Sequence, residues 1–158
     1  MQNTVPLLSL DLPDADATEG FGIAMARLLR AGDVLLLEGP IGAGKTHFAR
    51  ALIRARLGVD EDVPSPTFTL VQVYGADPEI WHADLYRLTH PDEAIELGLE
   101  EAFDAAICLI EWPERLGDLL PEKALFLQFS LLDAGASRRV QLRGAANWAP
   151  RLAALGQG

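Results

Sequence analysis

The chain has 158 residues, 49% of them hydrophobic and 23% charged, which is the make-up of one folded domain and excludes a disordered tail. No apolar run approaches the ~20 residues of a bilayer span, and the single cysteine, Cys108, excludes an internal disulfide or a cysteine-rich zinc site. A net charge of −10 counts against tight direct binding of nucleic acid, which needs a basic face to displace counterions.

In chain order, Val5 to Leu12 reads as a strand stopped by Pro13, and Ala17 to Arg30 as a helix with Phe21, Met25, Leu28 and Leu29 on one face. Val34 to Leu37 is a continuous apolar run, the pattern of a strand buried on both faces. A glycine-rich turn, Gly39 to Thr46, leads into a helix ending near Leu57, with Gly58 as its left-handed stop. Thr67 to Tyr74 and Ile80 to Tyr86 read as a hairpin around Gly75-Ala76-Asp77-Pro78. Pro91 to Phe103 is helical with an interruption at Gly98, and Ala106 to Ile110 is a second buried strand. A short helix from Pro113 to Leu119 precedes a final hairpin, Leu125–Leu132 with Arg139–Leu142, around Asp133-Ala134-Gly135. Interleaved helices and strands predict an α/β fold: one three-layer domain over residues 1–158 with a mixed, mostly parallel central sheet. Met1 to Asp11 lacks the basic start and long apolar stretch of a secretion signal. The expected location is cytoplasmic, with no membrane contact.

Charge is unevenly distributed. Residues 61–118 carry fourteen acids against Arg87 and Arg115 alone, whereas residues 119–158 carry two acids and five bases. The cluster Arg138, Arg139, Arg143 reads as a solvated strand edge.

The chemistry centres on Gly39-Pro40-Ile41-Gly42-Ala43-Gly44-Lys45-Thr46, a full G-x-x-x-x-G-K-[ST] match placed between a buried strand and a helix. In such a loop, successive backbone N–H groups turn inward at a phosphate and the helix start adds partial positive charge. Lys45 is expected at the β- and γ-phosphates and Thr46 on Mg²⁺. The Asn-Lys-x-Asp base reader of guanine-specific switches is absent, so ATP is the expected nucleotide. A further carboxylate has to complete the metal shell or orient water, and two strand-end candidates fit: Asp84 and Glu111.

Further motifs carry a family resemblance. Ser65-Pro66-Thr67-Phe68-Thr69-Leu70-Val71, His82-Ala83-Asp84-Leu85-Tyr86-Arg87-Leu88 and Ile110-Glu111-Trp112-Pro113-Glu114 follow the phosphate loop in order, as in TsaE proteins, which the chain resembles from about Thr18 to Glu114. TsaE is the bacterial ATPase partner in making threonylcarbamoyladenosine on tRNA. The resemblance implies a P-loop NTPase-like fold, ATP and Mg²⁺ as ligands, and TsaB and TsaD as partners, with tRNA reached only through the complex. It implies that Glu111 contacts Mg²⁺, that Asp84 is a Walker-B-like residue for hydrolysis, and that Ser65, Thr67 and Thr69 lie in a nucleotide-sensing switch loop. Thr18 and Trp112 match positions near the nucleotide, and Arg138 and Arg139 compete for a base-contacting position. His47 departs from the small hydroxyl residue usual in relatives, and is expected to point away from the phosphates.

Other readings of the same residues are structural. His82 reads as a hydrogen-bonded strand histidine, Cys108 as an inert core residue, Trp148 as a cover on the sheet, and His47 and His90 as solvent-facing. Two other functions fit a phosphate loop: a small-molecule kinase, and a module that binds nucleotide without hydrolysing it. The scarcity of arginine in the central third counts against the first, and the two carboxylates count against the second.

Overall fold

The computed structural model describes residues 4–40, 42–58, 70–75 and 77–157. Its first strand, β1 (Val5–Leu12), gives way through Pro13 to helix α1 (Ala15–Leu28). The Asp14 carboxylate caps that helix, accepting from the Ala17 N–H at 2.8 Å, so it starts two residues ahead of the predicted Ala17. It also ends short of Arg30, whose N–H turns to the Asp33 carboxylate at 2.6 Å.

Strand β2 (Val34–Glu38) feeds the glycine-rich loop, and α2 (Lys45–Leu57) follows. Gly58 stops α2 with φ 70°, its N–H bonded to the Arg54 carbonyl at 2.9 Å. Strands β3 (Val71–Tyr74) and β4 (Ile80–Asp84) form the expected antiparallel hairpin. The predicted extension back to Thr67 lies outside the described residues. At its other end β4 stops at Asp84, because that carboxylate takes the Tyr86 N–H at 3.2 Å in a local turn. Two short helices, α3 (Asp92–Glu96) and α4 (Leu99–Ala105), flank the break at Gly98. Strand β5 (Ile107–Glu111), a 3-10 stretch over Pro113–Leu119, and the hairpin β6 (Leu125–Leu132) and β7 (Ser137–Gly144) come next. A short helix, α5 (Ala149–Leu152), was not legible in the sequence pattern.

The sheet runs β1-β7-β6-β2-β5-β4-β3. β6, β2, β5 and β4 are parallel neighbours, and β1 points the same way, so five of the seven strands share one direction. The expected mostly parallel α/β sheet is present. Its middle strands are buried on both faces, as their unbroken apolar runs require. Leu35 and Leu37 pack with Met25, Phe48 and Leu52 under α1 and α2. Val34 and Leu36 point the other way, to Leu99, Phe103 and Leu116. Trp148, 4% exposed, seals the first face and donates its indole N–H to the Lys123 carbonyl at 2.9 Å. This arrangement brings the ends of β2, β4 and β5 together beside the start of α2, where ligands of open parallel sheets characteristically bind.

Candidate functional site

Gly39 begins the phosphate loop with φ 138°, and a Cβ there would stand 2.5 Å from the Phe129 carbonyl oxygen. No residue with a side chain fits that close approach. Ala43 is fully buried behind the loop, its N–H on the Pro40 carbonyl at 3.1 Å. Gly44, at φ 100°, turns the chain into α2, whose first turn holds no acidic residue. Among the described residues no side chain caps this helix. Its free N–H groups and dipole are therefore left for an external anion.

An open cleft of about 1120 Å³ lies against that helix start. Thr18, Gly42, Gly44, Lys45, Thr46, Asp84, Glu111, Trp112 and Arg138 all line it. These expected site residues thus converge, although they come from α1, the loop and the start of α2, two strand ends and the last hairpin. Ile41 and the proposed switch residues Ser65, Thr67 and Thr69 lie outside the described residues.

Lys45 is 5% exposed, and its ammonium donates to the Gly39 carbonyl at 2.8 Å. Thr46 Oγ1 donates to Glu111 Oε1 at 3.3 Å. Asp84 and Glu111 are register partners at the ends of adjacent parallel strands. Burial raises the Asp84 carboxyl above its ordinary value; the Tyr86 N–H, His82 and Lys45 oppose that rise, and the Glu111 charge adds to it. These oxygens suit a hard cation such as Mg²⁺, which uses one or two protein oxygens plus phosphate and water. Among the described residues no group of three or more His, Cys, Asp or Glu side chains forms a metal cage.

Three features differ from the sequence reading or go beyond it. His47 lines the cleft, with Nε2 3.1 Å from the Ala15 carbonyl oxygen. The start of α1 lies close enough to receive that ring, which helical periodicity alone does not reveal. Arg138 and Arg139 separate: Arg138 lines the cleft and donates to the Gly135 carbonyl at 2.8 Å, whereas Arg139 pairs with Asp11 at 2.8 Å. His82 is fully buried with Nε2 2.7 Å from Glu111 Oε2. The strand alternation that sets residues 82 and 84 on one face was the available signal for it.

The family model described as "Threonylcarbamoyl adenosine biosynthesis protein TsaE" matches residues 12–140. The chain belongs to the TsaE family. A tRNA threonylcarbamoyladenosine biosynthesis protein TsaE from Rickettsia bellii is 42% identical over 123 residues, covering 77% of this chain and 85% of that one. The TsaE of Bacillus subtilis is 38% identical over 127 residues, 78% of this chain and 77% of its own. The crystal structure of Bacillus subtilis YdiB superposes with a TM-score of 0.77 at 26% identity, covering 98% of this chain and 94% of that one. The TsaE match and the YdiB likeness agree with the P-loop NTPase-like α/β architecture described above. No described helix is long and apolar enough to cross a membrane.

Proposed function

We propose that this chain is a Mg²⁺-dependent ATPase that supports formation of threonylcarbamoyladenosine on tRNA through a TsaB–TsaD pair. The observation that carries the reading is the uncapped start of α2, with Lys45 and Thr46 as its first residues and Glu111 within 3.3 Å of Thr46. The loop N–H groups and the helix start bind the phosphates, and Lys45 leaves the Gly39 carbonyl to meet the β- and γ-oxygens. Thr46 Oγ1 and Glu111 Oε1 would hold Mg²⁺, which would supply positive charge against the phosphate oxygens. Asp84 orients the attacking water, Trp112 and Thr18 wall the nucleotide, and Arg138 covers its base.

The charge map supports work through a protein partner. Glu96, Glu100 and Glu101 are exposed on α3 and α4 beside Ile95, which is 43% exposed. Such a face repels a phosphate backbone and steers in a basic protein surface.

Phosphate release from ATP, measured with and without the TsaB–TsaD pair, tests the reading. The pair should raise a slow basal rate, and rising salt should weaken the effect. Lys45→Ala should cut the stimulated rate by roughly 100-fold or more with the fold intact. An unchanged rate in a folded Lys45→Ala protein rules out the ATPase assignment. Turnover that appears only with an added small hydroxyl compound identifies a kinase instead.

A further inference from the structure

Alternation along β4 sends His82 and Asp84 to the same face, the one under α2. The His82 backbone is in register with Leu109, two residues before Glu111 on the neighbouring strand. The two side chains therefore meet diagonally across the ladder. His82 is fully buried and Glu111 is 4% exposed. A pair of this kind persists only where its hydrogen bonding is well satisfied.

The hydrogen-bond inventory assigns the tautomer. A carboxylate only accepts, so the 2.7 Å contact requires a proton on His82 Nε2. His82 Nδ1 is buried and has no partner among the described residues. An unpartnered ring nitrogen is tolerable as a bare lone pair, whereas an N–H there would be a buried donor with no acceptor. This hydrogen-bonding pattern fits the Nε2–H tautomer of the ring. Glu111 is divided accordingly: Oε2 is held by His82, and Oε1 faces Thr46.

We infer that His82 is a positioning residue, which fixes the rotation of the Glu111 carboxylate so that Oε1 stands beside Thr46 as a metal-facing edge. It touches neither nucleotide nor metal and acts only through Glu111. The inference rests on the metal reading proposed above. It deepens that reading by separating the oxygen that binds from the oxygen that is anchored. Partners of this type orient metal-binding carboxylates and set affinity through them.

Two measurements test it without relying on turnover. The chain has only three histidines, so nitrogen-15 NMR of the unaltered, nucleotide-free protein can identify the protonated nitrogen of His82. A proton on Nε2 alone is expected; a proton on Nδ1 overturns the assignment. The second measurement is Mn²⁺ affinity of the ADP-loaded protein by electron paramagnetic resonance. His82→Leu keeps an apolar strand residue but removes the donor, and should weaken Mn²⁺ binding by about tenfold or more. His82→Gln restores an N–H near the Nε2 position and should recover most of that affinity. A merely structural histidine predicts a lower melting temperature in both variants with Mn²⁺ affinity unchanged, and that result overturns the proposal. If His82→Leu fails to fold, Mn²⁺ affinity of the His82→Gln protein far below the unaltered value overturns it equally. Absence of Mn²⁺ uptake by the unaltered, ADP-loaded protein instead removes the metal reading itself and leaves the tautomer result standing.

Discussion

The ammonium of Lys45 stands 4.3 Å from the centroid of the Trp112 ring. Trp112 reaches it because its backbone is left-handed, φ 60° and ψ 52°, immediately after β5. That turn folds the indole back over the phosphate loop, and the Tyr86 ring packs on it at 5.0 Å. The ammonium is held by a carbonyl of its own loop and by an aromatic face, both weaker partners than a phosphate.

Adding ADP should draw the Lys45 ammonium toward phosphate and change the field at the indole. Intrinsic fluorescence is therefore expected to change on ADP addition in the unaltered protein. Trp112→Phe should abolish that change, while Trp81→Phe and Trp148→Phe should retain it. A full response in the Trp112→Phe protein would mean that the ring does not sense the loop.

Asp84 and Glu111 should separate by their metal dependence. Glu111→Ala is expected to raise the Mg²⁺ concentration needed for activity, whereas Asp84→Asn should keep nucleotide but hydrolyse it poorly. Identical Mg²⁺ titrations for the two variants would contradict the division of roles.

Stability should respond to Asp84 with a definite sign. Burial raises its folded-state value, so between the ordinary and raised values the folded protein holds a proton that the unfolded chain has lost. Its contribution to stability is present on the acid side of that window and declines as pH rises through it. Asp84→Asn removes the cost of an ionised carboxylate. It should raise the melting temperature at neutral pH by about 1–3 °C, a gain that disappears below the carboxylate range. A melting temperature that falls at neutral pH would show that the carboxylate is not under this strain.

Arg151 ties the last helix to the body of the domain. Its Nη2 lies 2.5 Å from Asp33 Oδ2 and 2.7 Å from the Leu28 carbonyl oxygen, and its guanidinium stands 4.3 Å over the Trp148 ring. Asp33 is shielded, its side chain 13% exposed. Arg151→Ala should therefore cost about 2–4 kcal/mol in urea unfolding, with Arg151→Lys recovering only part because it lacks the planar fork. A loss no larger than that of an exposed ion pair, under about 1 kcal/mol, would show that this end of the chain is not clamped.

Cys108 should be silent. It is fully buried in β5, and burial pushes its thiol up to about 12. Iodoacetamide at neutral pH is expected to leave the folded chain unlabelled and to label it once per molecule in urea. Rapid labelling of the folded chain would place the thiol outside the core.

Local chemistry made much of this molecule legible in advance. The phosphate loop, the Gly58 stop, the break at Gly98, both hairpins and the strand-end carboxylates each depend on a few consecutive residues. Backbone preference, turn type and apolar period act at that range, so one sequence carries them. The three-layer fold followed from the same interleaving. The partners of individual side chains did not. Alternation states that Arg138 and Arg139 face opposite ways, but the cross-strand pairing of Asp11 with Arg139 decides which arginine is left for the cleft. His82 and Glu111 lie 29 residues apart, and Lys45 meets Trp112 through a left-handed turn with no glycine to announce it. Strand order and register set these contacts between distant segments. They depend on how the whole sheet closes over α1 and α2, so only the assembled tertiary structure decided which oxygen of Glu111 is anchored and which faces Thr46.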